Sequence, residues 1–177
     1  DEINAAKQLK GEAKQKYEAL KTQLLENGNI ASVTATTNAP GFTQDGWPVA
    51  VTQNVPSVQA ENYVTDDDFL KTMNIPLLAG RSLNHDIASD VTSGFVVNET
   101  AVRALGFKNA HDAIGKTIVW GGGDNKKHGS IVGVVKDFYF QSLHEKIAPA
   151  LFQFAPFDWM TYNYILVKLQ PGNFNST

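Results

Sequence analysis

Residues 131–143 read IVGVVKDFYFQSL, and the fold prediction depends on this stretch. Its first five residues are all apolar or glycine, a pattern typical of a strand that is covered on both faces. At Lys136-Asp137 the sequence becomes charged and then aromatic, which indicates that the strand has ended. The stretch therefore predicts a buried strand followed by an aromatic-rich turn.

A partner for this strand is predicted directly upstream, over residues 116–120. Between the two strands lies the run Gly121-Gly122-Gly123-Asp124-Asn125, which forces a turn because these residue types tolerate unusual backbone angles. We therefore expect an antiparallel hairpin with a flexible, glycine-rich tip over residues 121–129. Lys126 and Lys127 would belong to that tip.

The N-terminal residues 1–26 predict an amphipathic helix, because apolar side chains recur at spacings of three and four. Those side chains are Leu9, Ala13, Tyr17, Leu20 and Leu24. We expect this face to pack on a sheet, the alternative being a helix that binds a partner. Asn27-Gly28 would end the helix, and strands are predicted near residues 30–37, 48–54 and 57–64.

Three adjacent carboxylates, Asp66 to Asp68, follow Thr65. We interpret Thr65 as the cap of a short helix with the acidic residues in its first turn, where the helix dipole favours negative charge. A cation site is the alternative, but a calcium loop alternates its oxygen ligands and does not place them in a contiguous run.

The remaining chain predicts alternating short elements. Residues 95–97 read as a strand, Asn98 as the cap of a helix over residues 99–105, and Gly106 as its end. Further strands are predicted over residues 150–154 and 162–169. Residues 171–177 read as a turn and a helix cap, so we expect the domain to continue beyond them.

Composition excludes several classes of protein. The net charge of −3 over 177 residues provides no basic surplus for a nucleic-acid binder that relies on phosphate contacts. The absence of cysteine rules out disulfides, thiolate metal sites and a cysteine nucleophile. No apolar run approaches the roughly 20 residues that span a bilayer. The chain begins at Asp1, so we expect a fragment of a longer protein.

The sequence contains no complete motif for binding a cofactor or a metal. Gly115-Lys116-Thr117 resembles the end of a phosphate-binding loop, but Ala110 stands where that loop needs glycine. The histidines do not show the spacing of helix-facing or zinc-finger ligands; they are His85, His111, His128 and His144. We therefore predict no cofactor and no metal. An acid–base site could be drawn only from Asp137, His144 and Glu145, although neighbours on a helix do not face each other.

Five segments, in order, resemble one known family: IPLLAGR at 75–81, VVNETAVRALGF at 96–107, AIGKTI at 113–118, IVGVVKDFYFQSL at 131–143, and Ile147-Ala148-Pro149. This order is similar to the MacB-like periplasmic core domain of FtsX-type permeases in ABC transporters. The match is best over residues 62–156. The KDFYFQSL version is similar to that of Bacteroidetes permeases.

The resemblance implies an α+β fold with two lobes in an extracytoplasmic (periplasmic) domain of an inner-membrane protein. Residues 1–65 and 159–177 would form a porter-like lobe of strand-helix-strand units. Residues 66–158 would form an inserted, sabre-like mixed α/β lobe. The second porter unit lacks its helix and final strand, which departs from the family pattern.

The resemblance also implies a domain that is not an enzyme. A cytoplasmic ABC ATPase would drive the membrane helices of a dimeric permease, and the domain would pass the motion to a substrate, a periplasmic adaptor, or an outer-membrane or lipoprotein partner. Related substrates are antibiotics, peptides and lipoproteins. The alternatives are a secreted hydrolase or ligand-binding domain that uses Asp137, His144 and Glu145, and a signalling permease that regulates a cell-wall hydrolase.

Two loops are predicted to face the partner, because function concentrates on loops that a rigid scaffold holds. They are the loop over residues 42–47 and the hairpin tip over residues 121–129. The predicted partner-binding residues are Phe42, Trp47, Gly122, Asn125 and Lys127.

Overall fold

The computed structural model describes residues 2–39, 41, 46–51, 56–123, 126–139, 145–155 and 162–172. Its helices are α1 (Glu2–Leu25), α2 (Phe69–Thr72), α3 (Ala88–Ser93), α4 (Glu99–Ala104) and α5 (Ala110–Ala113). Its strands are β1 (Ile30–Thr36), β2 (Trp47–Ala50), β3 (Val58–Val64), β4 (Leu77–Gly80), β5 (Gly94–Asn98), β6 (Thr117–Trp120), β7 (Lys127–Val135), β8 (Ala150–Gln153) and β9 (Tyr164–Leu169). The predicted α+β class is confirmed.

The larger sheet has seven strands in the order β4-β7-β5-β8-β3-β2-β6. An additional pairing joins β6, at one end of this order, to β7, so that six of the strands form a closed ring with β4 attached to β7. The β3–β8 and β5–β7 pairs are parallel, and the other pairs are antiparallel. Closure leaves β4 as the strand with a free edge in this sheet.

The predicted buried strand is confirmed as β7, in which Ile131, Val134 and Val135 are fully buried. Alternate residues of the strands point to two apolar clusters. On β5, Phe95 joins a cluster with α4 and α5, whereas Val96 joins a second cluster with α2. Burying a side chain of this size stabilises the fold by about 1.5–3 kcal/mol.

The smaller sheet pairs β1 with β9 in antiparallel register, from Ile30 opposite Leu169 to Thr36 opposite Tyr164. Helix α1 was predicted to bury one apolar face, and this is only partly right. Tyr17 is buried, but Ala13 is exposed and Leu20 is 41% exposed. A sheet of two strands offers too narrow a surface to cover the whole face of a long helix.

Strands β2 and β3 do not follow the predicted division of the chain at residue 65. They were assigned to the porter-like lobe, yet β2 pairs with β6 and β3 pairs with β8 in the seven-stranded sheet. The division between the two sheets therefore falls between β1 and β2. The lobes themselves remain a prediction.

Two predicted helix caps have different outcomes. Asn98 caps α4 as predicted, because its side-chain oxygen accepts a hydrogen bond from the amide of Ala101 at 2.9 Å. The cap at Thr65 is wrong: Thr65 forms a β-bridge with Thr36, and α2 begins later, at Phe69. The local pattern of a cap was outweighed by a strand pairing with a distant segment.

Candidate functional site

The end of the β6–β7 hairpin is the first of the predicted partner-facing surfaces. The hairpin is confirmed, with Thr117 opposite Ser130 and Trp120 opposite Lys127. Since pairing continues as far as Lys127, the connection is shorter than the predicted tip over residues 121–129. Gly121 and Gly123 adopt φ angles of +90° and +57°, which favour glycine.

Gly129 has a different role from the one predicted. It lies inside β7, and a Cβ atom at this position would be 2.1 Å from the carbonyl oxygen of Ser93. A real side chain does not approach backbone that closely, so Gly129 is needed for close packing of β7 on the end of α3. It does not serve a flexible tip.

Trp47 anchors the same end of the sheet. Its indole stacks on that of Trp120 with ring centroids 4.9 Å apart and an interplanar angle of 21°. Trp120 is fully buried and Trp47 is half-buried, so one face of the Trp47 ring is fixed by the core. Such an aromatic pair adds about 0.5–1.5 kcal/mol beyond the area it buries.

The structure brings Trp47 and Gly122 to one place. The amide of Gly121 donates to the carbonyl oxygen of Pro48 at 2.9 Å, which ties the turn to β2. Gly122 is exposed, and a Cβ atom there would meet only the Pro48 ring, at an ordinary contact distance of 3.7 Å. Phe42 and Asn125, the other loop residues predicted to bind a partner, lie outside the described residues.

Lys127 is not on the surface, which corrects the prediction that it faces a partner from an exposed tip. It is only 9% exposed, and its Nζ atom donates to Oε1 of Gln153 at 3.1 Å. The Phe95 ring lies 5.1 Å from Nζ, at cation–π distance. Gln153 in turn donates from Nε2 to Oδ1 of Asn62 at 2.6 Å.

This buried polar chain leaves the lysine without a counter-ion among the described residues. Burial lowers the pKa of Lys127 to about 8. The charged amine pays a desolvation penalty that an amide oxygen and an aromatic ring only partly offset. Lys127 therefore contributes to the interior of the ring of strands, a burial that its local sequence does not predict.

Asp137, the first residue of the alternative acid–base site, is held at the N-terminus of α4. Its carboxylate accepts from the amide and hydroxyl of Thr100, both at 2.8 Å, and from Nη2 of Arg103 at 2.8 Å. Glu99 completes the arrangement by accepting from the amide of Asp137 at 3.0 Å. Both oxygens of Asp137 are thus engaged in stabilising a helix start.

The other members of the alternative site do not complete it within the described chain. Glu145 is exposed, and His144 lies outside the described residues. Across the part of the chain that the structure describes, no group of three or more histidine, aspartate and glutamate side chains is placed to hold a metal ion.

Asp66 is the residue whose role sequence reasoning missed. It was interpreted as part of a helix cap, but its carboxylate lies between α1 and β1, where it contacts Tyr17, Lys21 and Thr34. Tyr17 and Lys21 are four residues apart on α1, so they share a face. That spacing was readable, but its acidic partner, more than forty positions away, was not.

No helix in the described ranges is long and apolar enough to cross a membrane.

Comparison with known families gives a match over nearly the whole chain. The family model of the MacB-like periplasmic core domain covers residues 5–173. This confirms the resemblance seen in the sequence and extends it on both sides of residues 62–156. Comparison with curated protein sequences found no match.

Solved structures with a similar fold include the periplasmic region of MacB from Actinobacillus actinomycetemcomitans, at 23% identity and a TM-score of 0.60. A permease domain from Porphyromonas gingivalis aligns at 17% identity and 0.55, and the extracellular domain of the ABC-type transporter YknZ from Gram-positive bacteria at 12% and 0.53. The alignments cover 88%, 85% and 81% of this chain.

The same alignments cover 65%, 67% and 67% of the solved chains, so this chain spans about two thirds of their length. At these identities the likeness establishes the fold, while the family match covers far more than half of the sequence. The chain belongs to the family of MacB-like periplasmic core domains, the extracytoplasmic domains of ABC transporter permeases.

Proposed function

We propose that the domain does not catalyse a reaction but transmits ATPase-driven movement of the permease to a substrate or partner outside the cytoplasm. The driving subunit would be a cytoplasmic ABC ATPase that acts on a permease dimer. The recipient would be an adaptor, an outer-membrane protein or a lipoprotein, and the transported substrate an antibiotic, a peptide or a lipoprotein.

The closed ring of six strands is the observation that carries this proposal. Transmission of movement needs a body that does not deform, and a ring in which each strand pairs on both sides resists bending and fraying. A domain with an open, frayed sheet would absorb the movement within itself. The ring keeps its hairpin end fixed relative to the rest of the seven-stranded sheet.

The hairpin end supplies a surface for the recipient. Trp47 stacks on Trp120 and is only partly buried, and Gly122 at the same hairpin end is exposed, with the Pro48 ring as its nearest neighbour. Partly exposed tryptophans on a rigid scaffold are frequent centres of protein interfaces. Lys127 is not part of this surface, because its side chain is buried.

The hydrolase alternative has less support. A general base must be free to accept a proton from a substrate or water. Both carboxylate oxygens of Asp137 already accept hydrogen bonds from Thr100, and one also from Arg103.

The test uses Gly122→Arg in the intact permease, expressed with its ATPase in the native host. A long side chain at Gly122 meets no steric obstacle within the domain, so the variant should fold. The same side chain should block a partner from binding to this surface. We expect loss of resistance to antibiotics and peptides, or loss of lipoprotein release. The matched control is Gly28→Arg, at an exposed glycine where a Cβ atom would have no neighbour within 4 Å.

Full transport by both variants would remove the hairpin end as the partner surface. If transport persists but cell-wall hydrolysis changes only in Gly122→Arg, the signalling permease is the better account. Far-UV circular dichroism of the isolated domain confirms that each variant is folded.

A further inference from the structure

One carboxylate connects three separate elements of the chain. Asp66 accepts hydrogen bonds from the Tyr17 hydroxyl and, at 2.8 Å, from Nζ of Lys21, both on α1. Its other oxygen accepts from the hydroxyl of Thr34 on β1 and from the amide of Asp68 at 3.2 Å. The side chains of Asp66 and Lys21 are only 10% and 14% exposed. The contact is therefore largely shielded from solvent and salt.

The backbone on either side of Asp66 joins the two sheets. The amide of Asp66 donates to the carbonyl oxygen of Ala35 in β1 at 3.1 Å. One residue earlier, the amide of Thr65 donates to the carbonyl oxygen of Gln153 in β8 at 3.0 Å. The backbone of residues 65 and 66 is thus hydrogen-bonded to both the small sheet and the seven-stranded sheet.

Aromatic and charged groups surround this crossing. The rings of Tyr17 and Tyr162 lie 5.7 Å apart, and the Tyr162 hydroxyl donates to the carbonyl oxygen of Thr65 at 3.3 Å. Burial and the neighbouring Asp66 raise the pKa of Tyr17, so its hydroxyl keeps the proton that it donates. Lys21 also lies 2.7 Å from the carboxylate of Asp68, which gives it two counter-ions.

Apolar packing is sparse over residues 12–25 of α1, the part of the helix whose side chains the structure describes. Between residues 12 and 25, Tyr17 is the one side chain that the structure buries, and Leu20 and Leu25 are 41% and 45% exposed. With so little buried surface, residues 12–25 of the helix are held in position mainly by specific polar contacts. Tyr17 and Lys21 supply such contacts, and both reach the same carboxylate.

We propose that Asp66 is the coupling residue of the domain: through Tyr17, Lys21 and Thr34 it makes α1 and the seven-stranded sheet move as one body. The inference rests on the proposed transmission of movement, which it deepens by naming where a displacement of α1 passes into the ring of strands. Asp66 acts as a positioning residue.

The first test measures the coupling in this chain itself. Because the chain has no cysteine, spin labels can be placed at Gln15→Cys on α1 and Ala104→Cys on α4, both exposed positions, without other changes. Pulsed electron–electron double resonance then gives the distribution of distances between the two spin labels. We expect one narrow distribution in the parent chain, and at least a twofold broader one in Asp66→Asn, since the variant loses the charge that binds Lys21 and replaces one acceptor oxygen with N–H donors.

Asp86→Asn is the control, because it removes the same charge from a carboxylate that is 81% exposed. An unchanged width in a folded Asp66→Asn variant would overturn the proposal. Should that variant not fold, Tyr17→Phe removes a single donor and must still broaden the distribution. Unchanged hydrogen exchange in β5 and β8 shows that the ring of strands itself is intact.

A second test separates coupling from stability in the intact permease. Asp66→Asn should leave permease abundance and ATP hydrolysis near the parent level but lower transport at least tenfold. Equal losses of abundance, hydrolysis and transport would assign Asp66 a structural role only. If the distance result holds while Gly122→Arg has no effect, the coupling within the domain stands and the proposed partner surface falls.

Discussion

We expect the stability of the parent protein to rise above pH 8, and we predict that replacing the buried lysine, Lys127→Met, removes this rise. Burial lowers the pKa of Lys127 from 10.5 to about 8. Between these values the unfolded chain binds more protons than the folded chain, so the free energy of unfolding rises with pH. Below pH 8 the protonated amine carries the full penalty, and above pH 10.5 the penalty is gone.

The magnitude follows from the size of the shift. At about 1.4 kcal/mol for each pH unit, the penalty at pH 7 is about 3 kcal/mol, and it falls to about 1.4 kcal/mol at pH 9.5. Methionine keeps the apolar contact with Phe95, but it leaves Oε1 of Gln153 without its donor, which costs about 1–3 kcal/mol. The variant should therefore be up to about 2 kcal/mol more stable than the parent at pH 7, an advantage that shrinks by about 2 kcal/mol by pH 9.5.

Urea unfolding followed by tryptophan fluorescence at pH 7, 8, 9 and 9.5 measures this difference. Trp120 lies opposite Lys127 and should report the transition. Lys126→Met is the control, since Lys126 is the exposed neighbour in the sequence. Parallel pH profiles for the parent and Lys127→Met would refute the reasoning, because they would mean that the amine is hydrated in the folded protein.

The packing and capping of the sheet lead to two further predictions. Gly129→Ala should destabilise the domain by about 2 kcal/mol or more, because the new methyl group would overlap the carbonyl oxygen of Ser93; a thermal midpoint equal to that of Gly122→Ala would contradict this. Asn98→Ala should lower the free energy of unfolding by about 2–3 kcal/mol, since it removes the cap of α4 and the hydrogen bond from the Ala150 amide at 2.9 Å. Chemical unfolding measures this loss, and a value below about 0.5 kcal/mol would show that water replaces the Asn98 side chain.

Features that depend on neighbours in sequence were predictable. The apolar run at 131–135 became the buried part of β7, and Asn98 became the cap of α4. The glycine run after Trp120 became the turn of the β6–β7 hairpin. Each of these features has a cause that acts over a few residues. The causes are a hydrophobic pattern for β7, a side chain that caps its own helix for Asn98, and the backbone angles of glycine for the turn.

Partners separated by long stretches of sequence were not predictable. The sequence did not predict that β2 and β3, which were assigned to the porter-like lobe, pair with β6 and β8. Their alternating pattern suits any sheet with one covered face. The partner-binding role of Trp47 and Gly122 remains a prediction, although the structure does place both at the hairpin end, where Gly121 is hydrogen-bonded to Pro48.

The sequence by itself determined the family, the α+β class, and most helices, strands and turns, because these follow from local pattern and motif order. Only the tertiary structure decided that the ring of strands closes, that Lys127 is buried, and that Asp66 bonds to α1 instead of capping a helix. The identity of a charged residue does not indicate whether its side chain is exposed or buried. What surrounds it depends on segments that meet only when the chain folds.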